Sequence, residues 1–426
     1  MAEDLFVGVD LGTSGCRAVA ITKTGAIAGR GNAALPSPHC QGKAVEQEAE
    51  HWWQAAKQAL GSLFHSVPAH AVRALAIDGT SGTVLLADAK GNPLTHALLY
   101  NDSRSCTEAQ IIAKHAPLAS GAFGATSGLA KLLRLQTYPE ARQAAYLLHQ
   151  ADWIASRLGA PLGISDENNC LKTGYDPSKR EWPNWLDKVG ARRHLLPQVV
   201  SPGTLIGTVN RMSIEAFGLP SQAALVAGTT DSIAAFIATG AEEPGDAVTS
   251  LGSTLVLKVA SESPLFNPEL GIYSHRLGNL WLVGGASNSG GAVLQQYFTQ
   301  AQLDEMTSLL RPEQPTGFKY YPLPALGERF PVCDPHYLPC LTPRPHNDLI
   351  FFQAILEGIA CIEAQGYRRL ETLGAPFPSL IRTTGGGANN PAWTQIREQT
   401  IKVPVTTAKE TEAAYGSALL ARRALL

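Results

Sequence analysis

Short apolar runs of strand length alternate along the chain with longer stretches whose apolar residues recur at helical spacing. Leu5 to Val9, Arg17 to Thr22 and Ala26 to Leu35 are β-rich runs divided by Gly-containing turns, the pattern of an antiparallel meander. From Ala49 to Leu63, the spacing of Trp52, Ala56, Leu60 and Leu63 predicts one helix, with Trp52 and Trp53 as core residues. Strands at Val72 to Ile77 and Thr83 to Ala87 flank the turn Asp78 to Gly82, and residues 107–200 are expected to be mainly helical around a polar insert at Asp166 to Trp185. A strand at Ala223 to Ala227 then runs through Gly228-Thr-Thr-Asp231 into an apolar helix. Beyond the polar hinge Glu242 to Asp246 the plan recurs. It gives a hairpin, a strand at Leu280 to Val283, a helix after Gly290, a long helix from about Asp348 to Leu373, a strand at Leu380 to Thr384 and a helix after Thr411. This order predicts α/β architecture with mixed sheets flanked by helices.

The recurrence is visible in the letters. VDLGTSGCRAVAI at 9–21 returns as TSLGSTLVLKVAS at 249–261, with Asp10 replaced by Ser250. Each copy reads as a hairpin around a Leu-Gly-Ser/Thr turn. The turns Gly12, Thr13, Ser14 and Gly252, Ser253, Thr254 offer backbone N–H groups and hydroxyls, which cradle phosphate oxygens. One module used twice is expected, with domains at 1–243 and 244–426 clamping a nucleotide. A dinucleotide loop built on Gly8, Gly12 and Gly15 is disfavoured. An aspartate stands where a pyrophosphate needs bare backbone, and a strand follows where that loop needs a helix. No G-x-x-x-x-G-K-[ST] loop occurs. Asp10 beside a triphosphate meets a repulsion of about 4 kcal/mol per charge pair at roughly 4 Å and an effective dielectric of about 20. A divalent cation between them removes the conflict, and Mg²⁺ takes one or two carboxylates together with water and phosphate oxygens. Asp10 is therefore a candidate metal ligand, its alternative role being a turn-forming aspartate.

Composition narrows the class. The 426 residues exceed the roughly 250–300 that one core serves, so two domains are expected. Charged residues make up 16% of the chain, against about 25% in typical soluble domains, beside 45% hydrophobic residues and 40 glycines, which fits a large-cored, turn-rich enzyme. A net charge of -2 with no basic stripe argues against nucleic acid as a partner. The acidic start Met-Ala-Glu-Asp argues against a secretory signal, and Asp231 within the apolar stretch Ala223 to Ala241 argues against a membrane span there. Seven dispersed cysteines are expected as reduced thiols of a cytoplasmic protein. Cys333, His336, Cys340 and His346 are spaced like ligands, but without a C-x-x-C knuckle a surface loop is expected ahead of a zinc site.

Asp231 is the candidate catalytic base. It follows a strand and a glycine turn and is expected at a helix N-cap, where the helix favours the ionised carboxylate. Phosphoryl transfer mostly needs positioning and charge stabilisation, so one such carboxylate beside Mg²⁺ suffices. In Gly385-Gly-Gly-Ala-Asn-Asn-Pro-Ala-Trp393, Gly385 and Gly386 permit close approach to the backbone, while Asn390 and Trp393 are candidate adenine contacts. Gly284 to Gly291 either lines the site or serves strand-helix packing.

Taken together, these segments resemble the FGGY-type carbohydrate kinases over essentially the whole chain. VDLGTSGCRA at 9–18, GTTD ending at Asp231, SLGSTLVL at 250–257, Ala325 to Pro331, Ile355 to Ala360, GGGANNPAWTQ at 385–395 and Glu412 to Gly416 follow the family's order. The resemblance implies two duplicated actin-like, ribonuclease H-like domains with an active-site cleft between them, using ATP and Mg²⁺ on a small sugar. It implies that Asp231 is the base, that Asp10 lies near Mg²⁺ and the transferred phosphate, and that Gly386, Asn390 and Trp393 line the nucleotide site. IDGTSGTVLLAD at 77–88 has neither the Gln-Met-His of the usual xylulose kinases nor the Asn-Gln-Arg-Glu of glycerol kinases, and looks like the compact pentulose kinases with this same DGTSGT segment. D-ribulose is therefore the expected acceptor at its terminal hydroxyl, with D-xylulose next. Asp10, Ser81 and Asp231 are its expected contacts, with turn hydrogen bonding as the alternative role of Ser81. A chaperone-like or cytoskeletal ATPase and an idle sugar sensor are the competing classes, and a homodimer is the one assembly kept in view.

Overall fold

The computed structural model describes residues 3–426. The chain forms two compact units, one running to Ala238 and taking in Glu410–Leu426, the other spanning Thr239–Lys409.

In the first unit, β1 (Leu5–Leu11), β2 (Gly15–Thr22) and β3 (Ile27–Ala34) make the expected meander. On its other side β1 pairs in parallel with β4 (Val72–Gly79), which pairs in parallel with β5 (Ala224–Val226); Leu205–Thr208 closes the sheet as an antiparallel edge. Every residue of β1 is buried, as in a parallel sheet covered on both faces. α1 (Ala49–Ser66) turns Trp52, Ala56, Leu60 and Leu63 inward, and both tryptophans are core residues. Trp52 packs edge-on against Trp153, and its indole N–H donates to Gln47 at 2.7 Å. Residues 107–200 are less helical than the sequence suggests. Besides the helix Cys106–His115 and the single turn Trp185–Lys188 they hold α2 (Gly128–Leu135), α3 (Gln150–Leu158) and α4 (Glu167–Leu171), interrupted by the short strands Tyr146–His149, Ile164–Asp166 and Gln198–Val200. α5 (Asp231–Ala238) follows β5.

The terminal segment departs from the expected division at 243/244. The helix Ala413–Arg423 packs on β1, β4 and α5, which places Glu410–Leu426 in the first unit. Two glycines allow it. A Cβ at Gly416 would lie 1.8 Å from the Ala234 carbonyl oxygen, and one at Gly8 would lie 1.9 Å from that of Ala414, so backbone meets backbone at both points.

The second unit repeats the plan. β6 (Asp246–Leu251) and β7 (Leu255–Ser261) form the second hairpin, and β8 (Leu280–Ser287) extends it, with His275–Leu277 at the edge. β9 (Leu380–Thr384) and β10 (Val405–Thr407) lie parallel on the far side of β6. The expected helix after Gly290 is one short turn, Gly291–Leu294, and longer helices follow at α6 (Gln300–Thr307), α7 (Asp348–Thr372) and α8 (Pro391–Ile401). α7 is, among the described residues, the one helix long and apolar enough to cross a bilayer; here Phe351, Phe352, Ile355, Ile359 and Tyr367 form the core of the unit. A buried ion pair ties the layers together. Arg397 on α8 donates to Glu363 of α7 at 2.6 and 2.7 Å and to Thr383 of β9 at 2.6 Å. Both charged side chains are fully buried, and removing one partner of such a pair costs about 3–5 kcal/mol because the other charge is left alone.

Candidate active site

Three acids gather where β1, β4 and β5 end. Asp10 stands opposite Asp78 in the parallel β1–β4 register, and a bridge from Gly79 to Thr230 brings the next segment alongside, just before Asp231. Asp10 is 5% exposed and Asp78 is 0% exposed. Their carboxyl groups lie within hydrogen-bonding reach of each other, and burial raises both pKa values, that of Asp78 well above the carboxylate range. In Asp10 the rise is opposed by the hydrogen bond with Asp78 and by Arg17; in Asp78 the neighbouring charge of Asp10 adds to it. Ser417 of the terminal helix donates to Asp78 at 2.6 Å, while Asp78 Oδ1 is buried without a partner.

Asp231 is half-buried at the first residue of α5 rather than at its cap. The Thr230 carbonyl accepts the first helical bonds, from the Ile233 and Ala234 amides at 3.0 and 2.9 Å, and so takes the capping place. The Asp231 carboxylate accepts the Ser232 amide at 2.6 Å. Arg17, directly opposite Asp10 in the hairpin, pairs with it at 3.2 Å. Its guanidinium also lies over Gly12, in a turn whose Thr13 and Ser14 side chains are exposed.

The turn that carries Ser81 lies after Asp78. Thr80 donates to the Gln150 side-chain oxygen Oε1 through its amide at 3.0 Å and its hydroxyl at 2.8 Å, and its hydroxyl meets that of Thr83 at 2.6 Å. Ser81 takes no part: its hydroxyl oxygen is buried and unpartnered.

The second unit contains a cavity of about 610 Å³. Gly252 and Ser253 of the hairpin turn, Gly386, Asn390 and Trp393 line it, joined by Gln295, Asp304, Thr307, Phe352 and others. Gly385 has φ +82° and its Cβ would lie 2.7 Å from the Leu251 carbonyl oxygen, so the glycine run sits directly against the end of β6. Asn390 caps α8 by accepting the Trp393 amide at 2.9 Å and donates to Thr307 at 3.3 Å. Trp393 is buried, with its indole N–H unpartnered. Thr254 and Gly385 adjoin this cavity without lining it.

Family models for FGGY carbohydrate kinases match nearly the whole chain, the N-terminal domain over residues 5–238 and the C-terminal domain over 247–425. The chain belongs to the FGGY family of carbohydrate kinases. A xylulose kinase of Escherichia coli is 27% identical over 92% of this chain and 84% of its own length. An L-fuculokinase of Salmonella typhi is 25% identical over 99% of this chain and 92% of its own. A solved xyloylose kinase from Brucella ovis superposes with a TM-score of 0.88 at 24% identity, covering 99% of this chain and 90% of that one. The fold is thus that of FGGY kinases, two actin-like α/β domains, and the activity is ATP-dependent phosphorylation of a sugar.

Within this FGGY frame, the residues read from the sequence separate into two groups. Asp10, Asp231, Ser81 and the Gly12-Thr13-Ser14 turn lie in the first unit. Gly252, Ser253, Gly386, Asn390 and Trp393 converge on the cavity of the second. Asp78 and Arg17 were not singled out, since Asp78 reads as an ordinary turn aspartate and Arg17 as an exposed strand residue. Only the pairing of β1 with β2 and β4 brings them to Asp10.

Among the described residues no three His, Cys, Asp or Glu side chains are placed to hold a metal ion, Cys333, His336, Cys340 and His346 included. Mg²⁺ does not require three. The buried, adjacent carboxylates of Asp10 and Asp78, one with an orphaned oxygen, are a donor set that fits a hard cation sharing its remaining positions with water and phosphate.

Proposed function

We propose that this kinase transfers the γ-phosphoryl group of ATP to the terminal hydroxyl of a 2-ketopentose, D-ribulose ahead of D-xylulose. The observation that carries the reading is the acid group at the strand ends: Asp231 at the start of α5, close to Asp78 and Asp10. Asp231 takes the proton of the sugar hydroxyl as that oxygen attacks the γ-phosphorus. The bond from phosphorus to the bridging oxygen breaks, and the electron pair leaves with ADP. Mg²⁺ held by Asp10 neutralises phosphate charge when bound. Arg17 is positioned to do the same from its side of the Gly12 turn.

D-ribulose is supported by the acceptor turn, which lacks the Gln-Met-His side chains and offers the unengaged Ser81 hydroxyl instead. The naming of the Escherichia coli relative favours the second reading, D-xylulose. The two sugars differ at one carbon centre, so a panel of ketoses and polyols in a coupled ADP-release assay decides. A kcat/KM for D-ribulose about tenfold or more above that for D-xylulose is expected, which corresponds to about 1.4 kcal/mol of discrimination. The reverse order assigns D-xylulose; ADP release unaffected by any sugar overturns both.

The cavity of the second unit is assigned to the nucleoside of ATP. Two neighbouring glycines separate ligand effects from folding effects. A Cβ at Gly386 meets nothing within 4 Å, whereas one at Gly387 lies 2.6 Å from the Trp393 ring and 2.7 Å from Leu251. Gly387→Ala is expected to lose about 1–3 kcal/mol of stability by overpacking, measured by urea unfolding. Gly386→Ala is expected to keep its stability and to raise the KM for ATP several-fold, because its methyl group enters the ligand space. Equal melting and equal KM in the two variants would remove the nucleoside from this cavity.

A further inference from the structure

Lys131 is 0% exposed, and nothing in the mechanism above uses it. It lies on α2, in the run Gly-Leu-Ala-Lys-Leu-Leu-Arg-Leu. Its ammonium nitrogen donates to the Gly82 carbonyl at 2.7 Å and to the Leu99 carbonyl at 2.6 Å. The nearest acid, Asp102, is already held by Arg104 at 2.8 Å and by the Val45 amide at 2.8 Å. An apolar side chain of similar length would fill the same space without the cost of burying an amine, so the two carbonyl bonds are the reason for a lysine. Burial lowers its pKa to about 7, against the opposing pull of Asp102, and the nearby Lys172 lowers it further. A neutral amine still has two N–H donors for two carbonyls, so the bridge survives loss of the charge.

The bridge is anchored at the acceptor turn. Gly82 adjoins Ser81, has φ +81° and is buried, which leaves its carbonyl direction to be fixed from outside the turn. On one side Gln150 of α3 holds Thr80; on the other, Lys131 of α2 holds Gly82. Ser81 is the residue between these two fixed points, with its hydroxyl unengaged. We propose that Lys131 is a positioning residue for the sugar: by tying the Gly82 carbonyl to that of Leu99 it fixes the turn that presents Ser81, and so sets affinity for the ketose and not for the nucleotide. This rests on the reading of Ser81 as a sugar contact.

The test is a double-substitution cycle on the full chain, with ketose varied at saturating MgATP and ATP varied at saturating ketose. Lys131→Met is expected to raise the ketose KM about tenfold and to leave the ATP KM within twofold. In a Ser81→Ala background the same substitution is expected to change the ketose KM less than about threefold, because the group it positions is gone. Should Lys131→Met not fold, Lys131→Gln, which keeps a donor on a shorter arm, carries the same comparison. Both KM values moving together, neither moving, or the full effect persisting without Ser81 overturns the proposal. A wild-type chain that phosphorylates no ketose overturns the sugar reading and the proposal with it, so the two failures are told apart by the wild type alone.

Discussion

Asp231→Ala is expected to lower ketose phosphorylation by roughly 10²–10⁴-fold, the range that a positioned general base supplies, while ATP binding stays within a few-fold. The reason lies in where α5 begins. The bridge of Thr230 to Gly79 holds the segment beside β4, and Asp231 is the first residue past it, with its carboxylate oriented by the Ser232 amide. At the start of a helix the carboxylate is favoured in its ionised form, the form a base needs. Asp78 does not take over the role, because its side chain is fully buried and engaged by the Ser417 hydroxyl, whereas Asp231 is only half-buried. The measurement is a coupled ADP-release assay for turnover, with calorimetry for ATP. A loss confined to kcat fits an interaction made in the transition state. Unchanged sugar turnover removes Asp231 from the base role.

The pattern of hydrophobic positions made the two hairpins, the helix Ala49–Ser66 and the long core helix legible, because each signal is contained within one segment. The repeat also drew attention to the candidate site, since a turn carried by both halves is hard to read as chance. What escaped was formed by long-range pairing. Asp78 becomes remarkable only once β4 lies parallel to β1, and Ser417 reaches it from the far end of the sequence. The terminal helix joins the first unit through the contact of Gly416 with Ala234, which leaves no periodic trace beyond a small residue. Lys131 gives no signal in the sequence because its two acceptors are backbone carbonyls, and a carbonyl has no signature there. Even Asp231, which the sequence puts at the N-cap, lies one position further on, because the first helical bonds go to the Thr230 carbonyl.

The structure gives the asymmetry of the repeat a second member. Asp10 faces Asp78 across β1 and β4; at the matching places of the second unit Ser250 faces Thr384 across β6 and β9. Two acids in one copy correspond to two hydroxyls in the other, as expected if the first holds the cation and the second holds phosphate oxygens directly. Exchanging one residue in each copy tests this division. Asp10→Ser is expected to lower kcat about 100-fold or more and to flatten the response to Mg²⁺, read in a magnesium titration at fixed ATP. Ser250→Asp brings a carboxylate toward bound phosphate, where a unit charge pair at roughly 4 Å repels by about 4 kcal/mol at an effective dielectric of about 20. Ser250 is only half-buried, so solvent screening reduces that figure, and a rise of about 10–100-fold in the ATP KM is expected. Thermal melting separates these effects from misfolding. If Ser250→Asp bound ATP as tightly as the wild type, the second hairpin would not hold phosphate, and its hydroxyls would need an explanation in packing alone.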